Sequence, residues 1–319
     1  MKRKNNIFDK IANKENIILA DKLARKGKNK QPGIKWFDKN FDKNINRIVE
    51  ELISGSYKTP KYITFKIYDP KERDISVLPY RDRVVHHAIM VPLESILTST
   101  YTANSYSCIK RKGVHGAVRD IKRSLKDLKR TKYCLKIDIQ KYYPSVDHCI
   151  LKYVLRRKIK DKKLLLLLDN IIDSAEGLPI GNLMSQYFGN FYLTYFDHFV
   201  KEVLKVKYYF RYADDMVFLA ESKQELHFIL QAVKDYLHVN LKLKIKKSYQ
   251  IYPVKSRGID FLGYVFFHDC IKLRKRIKKK MARKIAKGIS KSSLASYLGW
   301  AKHCNSKNLI NILLNKKKR

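Results

Sequence analysis

Lys207-Tyr-Tyr-Phe-Arg-Tyr-Ala-Asp-Asp-Met-Val-Phe-Leu-Ala220 places two strand-like apolar runs on either side of a three-residue break, Ala213-Asp214-Asp215. Runs this rich in aromatic and apolar residues, broken by short polar residues, favour a pleated hairpin. Adjacent carboxylates at the tip of such a hairpin repel each other, and each is partly stripped of water. Two readings are open. One is an acidic turn, since aspartate is common in turns. The other is a cation site, because a divalent ion removes the conflict, and hard oxygen donors of this kind suit Mg²⁺.

A third carboxylate favours the cation. Asp138 lies in Leu135-Lys-Ile-Asp-Ile139, part of an alternating stretch from Tyr133 that reads as a half-buried strand. An ionised aspartate there is costly without a partner. If that strand lies beside the 207–220 hairpin, Asp138, Asp214 and Asp215 converge. Three carboxylates can hold two Mg²⁺ about 3.5–4 Å apart, the arrangement for in-line attack on a phosphate. One ion would activate a 3′-hydroxyl and the other would hold a triphosphate. Tyr143, in Tyr142-Tyr-Pro-Ser145, reads either as a packing aromatic or as the residue beneath an incoming sugar that blocks a 2′-hydroxyl.

The surrounding patterns alternate in type. Residues 40–54 carry apolar positions at Phe41, Ile45, Ile48, Val49 and Leu52, which predicts an amphipathic helix ending near Gly55. Residues 62–68 and 74–78 predict a strand pair through a turn at Asp69-Pro70. Helices are expected over 82–97, 164–172 and 224–238, a further strand pair over 258–267, and a basic helical tail from Lys272. That order fits an α+β fold.

Composition bounds the rest. The 319 residues are 45% hydrophobic and 12% aromatic, enough apolar surface for a core. The net charge of +40 implies a polyanion partner. Residues 1–30 hold 10 Lys/Arg against 3 acids, and residues 268–319 hold 17 against a single acid, Asp269. The apolar run Leu164–Leu168 is far below the roughly 20 residues of a spanning helix. With no apolar run behind the N-terminal Met1-Lys-Arg-Lys and five unpaired-looking cysteines, the expectation is a cytoplasmic protein that engages no membrane. His86 and His87 read as structural, because no second ligand cluster accompanies them. Arg25-Lys-Gly-Lys-Asn-Lys30 reads equally as a template contact or as a solvated tail.

Asp138-Ile-Gln-Lys-Tyr-Tyr143 and Tyr212-Ala-Asp-Asp215 resemble the two metal-binding blocks of reverse transcriptases, and the resemblance runs from about Phe37 to His303 in the family's block order. It implies a right-hand polymerase fold: a basic N-terminal extension (1–35), fingers and palm (36–267) and a short helical thumb (268–319). It implies Asp138, Asp214, Asp215 and the Ile139 carbonyl as ligands of two Mg²⁺, with Mn²⁺ as a substitute ion. Lys66 and Arg73 resemble the pair that holds the incoming triphosphate, with Tyr143, Ile180, Gly181 and Gln186 completing the dNTP site. Lys247 matches the basic residue positioned to protonate pyrophosphate. Leu262, Gly263 and Tyr264 resemble the primer grip. Arg274, Lys275, Arg276, Lys278 and Lys279, with Tyr297 and Trp300 nearby, read as a thumb face that tracks duplex phosphates, a generic solvated helix being the alternative. Arg81-Asp-Arg-Val-Val-His-His87, Asn104-Ser-Tyr-Ser107 and Gly113-Val-His-Gly116 are blocks shared by bacterial members.

Between the metal blocks most bacterial members read Q-G-x-x-x-S-P, whereas this chain reads Ile180-Gly-Asn-Leu-Met-Ser-Gln186. That pattern, with Ser296-Tyr-Leu-Gly-Trp-Ala-Lys-His303, resembles the reverse transcriptases of diversity-generating retroelements. The resemblance implies copying of a template-repeat RNA into cDNA with errors at adenines, and a basic, pentameric accessory variability determinant as partner. Retron, group II-like and antiviral-defence reverse transcriptases are the alternatives within the same chemistry. No zinc cluster, endonuclease block, RNase H domain or maturase region is seen, so those steps are expected from RNA, host or partners. A catalytically idle RNA-binding scaffold is the alternative of another class, and three carboxylates kept in a costly place argue against it.

Overall fold

The computed structural model describes residues 3–68, 72–110 and 112–315. The chain forms two compact units: Met1–Thr102 with Gln140–Asp197 and Tyr236–Lys244, and Ala103–Ile139 with His198–Asp235 and Ile245–Arg319.

The first unit is mainly helical. The predicted helix is Phe41–Ile53, which buries Ile45, Ile48 and Leu52 along one stripe and stops before Gly55. Helix Tyr80–Thr98 supplies the centre of this core through Val84, Val85, Ala88, Ile89, Leu93 and Leu97. Burial on the same helix pushes His86 down to about 3 and keeps it neutral. The basic N-terminal region is folded: helix Lys14–Ala24 is capped by Asn13 and buries Ile17 and Ala20. There the buried Asp21 accepts from Tyr80 Oη (2.6 Å) and from Arg25 (2.8 Å), and Arg25 also reaches Asp38. Arg25 is thus a structural cation as well as part of the basic surface.

Two strands in this unit, β1 (Ile63–Tyr68) and β2 (Glu72–Val77), pair antiparallel from Ile63↔Val77 to Tyr68↔Glu72. The expected turn at Asp69-Pro70 lies outside the described residues. The loop before helix Leu183–Tyr192 is tied to this ribbon, because Ser76 N donates to Ile180 O at 2.7 Å.

The second unit holds both remaining sheets. β3 (Tyr133–Asp138), β4 (Tyr208–Tyr212), β5 (Asp215–Ala220) and β6 (Gln250–Pro253) form an antiparallel sheet ordered β4-β5-β3-β6. β7 (Ile259–Phe261), β8 (Tyr264–Phe266) and β9 (Ile271–Leu273) form a second one. One apolar core containing Cys134, Phe210, Val217, Leu219, Tyr252, Phe261 and Phe266 joins them. The basic tail begins as β9 and only then becomes helical, in Lys275–Ala286, Lys291–Ala301 and Lys307–Asn315. Its attachment is aromatic. Trp300 stacks on Tyr264 with centroids 5.4 Å apart, and Tyr264 Oη donates to Trp300 O at 2.9 Å. Cys134, Cys149, Cys270 and Cys304 are free thiols, and no helix among the described residues is long and apolar enough to cross a membrane.

Candidate active site

The register of the first sheet of the second unit brings the three aspartates together. Asp138 stands opposite Asp215 in the β3–β5 pair, so both side chains rise from one face. Asp214 lies in the β4–β5 turn, where Ala213 adopts φ +54°, a left-handed conformation that costs a non-glycine residue about 1 kcal/mol. The expectation that the 133–139 strand runs beside the hairpin therefore holds, and Asp138 is near enough to Asp214 to raise its proton affinity.

Burial dominates the electrostatics. It pushes Asp214 up to about 6, helped by the neighbouring Asp138, and pushes Asp215 up to about 6 against the pull of Lys136. Two cations sit against the cluster. Lys246 Nζ donates to Asp138 Oδ2 at 2.5 Å, and its backbone N donates to Asp138 O at 2.9 Å. Lys136 Nζ is 3.7 Å from Asp215 Oδ2 and donates to Asp260 O at 2.5 Å. Arg274 Nε donates to Asp260 Oδ1, also at 2.5 Å.

This proton affinity has a measurable consequence. Between the ordinary aspartate value of 3.8 and about 6, the folded metal-free protein holds protons that the unfolded chain has released. Its stability therefore falls as pH rises through that window. Thermal melts in EDTA across pH 4–7 are expected to show this decline, and Asp214→Asn should flatten it.

The donor set fits a hard divalent ion. Asp138 Oδ1 and Asp215 Oδ1 are buried and make no hydrogen bond, an arrangement that a cation satisfies. Among the described residues no three acidic, histidine or thiol groups are arranged ready-made around an ion. Lys246 engages Asp138 through its other oxygen, Oδ2. Ile139, whose carbonyl was expected to join the ligands, is buried and bridged to Ile245, the pairing that delivers Lys246. Lys247 itself is exposed. Lys246 and Lys136 went unnoticed in the sequence, where two more lysines among 69 Lys and Arg carry no signal.

The other candidates have these settings. Leu262-Gly263 is the two-residue β7–β8 turn with φ +50° and +84°, and a side chain on Gly263 would strike the Trp300 ring. Gly263 O accepts from Arg274 N at 2.9 Å. Lys275, Arg276, Lys278 and Lys279 line the exposed side of a helix whose other side buries Met281 and Ile285. In the first unit, Lys66 and Arg73 share the β1–β2 ribbon but not a face. Lys66 pairs with Asp74 and contacts Glu72 at 2.5 Å, whereas Arg73 pairs with Ile67. Tyr143 packs edge-on to the buried Tyr142 and accepts at its carbonyl from Leu178 N (2.8 Å). Gly181, at φ +117°, lies where a side chain would come 2.8 Å from Ser76 O, and Gln186 is exposed.

Comparison with known proteins agrees with this geometry. Residues 66–266 match the family described as reverse transcriptase (RNA-dependent DNA polymerase). Protein YkfC of Escherichia coli is 26% identical, with 71% of each chain covered. The group II intron-encoded protein LtrA of Lactococcus lactis is 21% identical over 70% of this chain and 49% of its own length. The truncated apo telomerase of Candida tropicalis has the same fold over 69% of this chain and 55% of its own, with a TM-score of 0.51 at 13% identity. The chain thus spans about half the length of several of these relatives. The family match covers more than half of the sequence and includes both strands that carry the paired aspartates, and the chain belongs to the reverse transcriptases, the RNA-dependent DNA polymerases.

Proposed function

We propose that the chain extends a primer 3′-hydroxyl with dNTPs on an RNA template, and that Asp138, Asp214 and Asp215 are its metal-binding carboxylates. The observation that carries this reading is the pairing of Asp138 with Asp215, each with one buried oxygen left unpaired. Two Mg²⁺, or Mn²⁺ in their place, would supply hydroxyl activation and charge neutralisation at the leaving pyrophosphate. The protein holds the acceptor oxygens on a rigid sheet. Lys246 neutralises Asp138 before loading, and Lys247 remains a proposed proton donor. Lys66 and Arg73 are assigned to the triphosphate, Tyr143 to the sugar, and Ile180, Gly181 and Gln186 to the nascent pair. Leu262, Gly263 and Tyr264 hold the primer strand. Residues 268–319 serve as a thumb whose basic helix follows backbone phosphates, residues 36–267 as fingers and palm, and residues 1–35 as a basic extension. Incorporation of dNTPs on a primed homopolymer RNA with Mg²⁺ tests the assignment, and an inactive, correctly folded protein supplied with cognate RNA and its accessory partner would overturn it.

The finer reading is the error-prone enzyme of a diversity-generating retroelement, acting on a template-repeat RNA with a basic pentameric accessory protein. Its support is Ile180 where a glutamine is usual. Glutamine can hydrogen-bond beside the nascent base pair, whereas isoleucine can only pack. Losing one such bond weakens selection by about 0.5–1.5 kcal/mol, a few-fold to tenfold. Ile180→Gln is accordingly expected to lower misincorporation opposite template adenine by that factor. Sequencing of cDNA products measures it, and unchanged errors would remove the argument. A group II-like role is the second reading, favoured by the similarity to LtrA.

A further inference from the structure

Arg211, one residue before the Tyr212-Ala-Asp-Asp215 block, is fully buried, and among the described residues it is one of the largest side chains to be so. A guanidinium withdrawn from water is retained only where hydrogen bonds satisfy it. It does not lie among the carboxylates. Arg211 pairs with Met216 across β4–β5, so it leaves the sheet on the face opposite Asp215.

Its fork grips the turn from below. Nη1 donates to Ala213 O at 3.1 Å, and Nη2 donates to Ser105 Oγ at 2.9 Å. The backbone of Arg211 is clamped as well. Its N donates to Asn104 O (2.9 Å), its O accepts from Tyr106 N (3.0 Å), and Asn104 Nδ2 donates to Tyr209 O (2.8 Å). Residues 104–106 thereby close the outer edge of β4, with Ser105 itself fully buried. The turn they support is the one with Ala213 in a left-handed conformation, followed at once by two carboxylates that repel each other. Such a turn keeps its shape only when the surroundings over-determine it.

We propose that Arg211, braced by Ser105, is a positioning residue that locks the Ala213–Asp214–Asp215 turn in the geometry needed for metal-dependent nucleotide transfer. The inference rests on the polymerase reading above. Arginine is required because one planar group donates in two fixed directions, which an ammonium on a flexible stem cannot reproduce.

Arg211→Lys and Ser105→Ala, each in the full chain, test this by steady-state kinetics on primed RNA, thermal melts, and Mn²⁺ binding followed by electron paramagnetic resonance. The expected result for Arg211→Lys is a folded protein whose kcat falls tenfold or more, with KM for dNTP within twofold and Mn²⁺ affinity at least threefold weaker. Ser105→Ala should show the same pattern to a smaller degree, and it decides the matter if the lysine variant does not fold. Wild-type kcat and Mn²⁺ affinity in a folded variant would overturn the proposal. So would losses of kcat that merely follow the folded fraction. If the wild-type protein polymerises nothing, the functional reading fails, and the Mn²⁺ comparison still decides the role of Arg211.

Discussion

Asp214→Asn is expected to lower RNA-templated dNTP incorporation by about 10³-fold or more while making the metal-free protein more stable. On the proposed metal-binding role, the first effect follows from losing one charged oxygen ligand, which would contribute several kcal/mol to charge stabilisation in the transition state. The second follows from burial, since Asp214 and Asp215 are both pushed up to about 6. An isosteric neutral group removes the cost of holding that charge out of water beside Asp138, so stability above pH 7 in EDTA should rise by about 1–2 kcal/mol. The opposite signs make the result diagnostic. A variant inactive because it is unfolded would lose both quantities, and primer extension with a parallel thermal melt separates the two cases. Asp215→Asn should behave alike, with a smaller stability gain because Lys136 would lose its partner at 3.7 Å.

Gly177→Ala is expected to destabilise the first unit by about 2–4 kcal/mol. Gly177 has φ +58°, and a β-carbon there would lie 2.6 Å from both Tyr143 O and Pro144 O. Those are backbone atoms, so the short turn Tyr143–Ser145 must move rather than a side chain. Gly55→Ala is the matched control. It shares a positive φ, +70°, but a β-carbon there meets nothing within 4 Å, so only the conformational cost of about 1 kcal/mol applies. Thermal melts of the pair separate strain from collision. If Tyr143 acts on the incoming sugar, Gly177→Ala should also reduce discrimination against ribonucleotides, whereas Gly55→Ala should leave it unchanged.

Much of the fold was legible because the relevant forces are local. Alternation in Tyr133–Asp138 and the runs around Ala213 marked the strands, and the spacing of Ile45, Ile48 and Leu52 marked a helix. β6 and β9 escaped notice because each stands without the paired apolar run and intervening turn that mark β7 and β8. The basic N-terminal region hid its helices for a different reason. Its lysines dominate the composition, while the few apolar residues that pin it, Ile17 and Ala20, are spaced for a face that only the partner helix defines.

The candidate site divides along the same line. The sequence by itself determined which groups are chemically able to bind a hard cation, because two adjacent carboxylates in an apolar hairpin and a third in an apolar strand are costly in any fold that buries them. It also determined the excess of positive charge, which is a sum over residues and needs no structure. Only the tertiary structure decided that Asp138 faces Asp215, that Lys246 rather than the exposed Lys247 meets the cluster, and that Lys66 and Arg73 lie on opposite faces of their ribbon. Strand register sets the first and the third, where a shift of one residue would turn these side chains to the other face, and the bridge between Ile139 and Ile245 sets the second. The support of the turn by Arg211 and Ser105 joins residues 106 positions apart. Nothing local distinguishes that arginine from the others in the chain, since its role comes from where the sheet buries it.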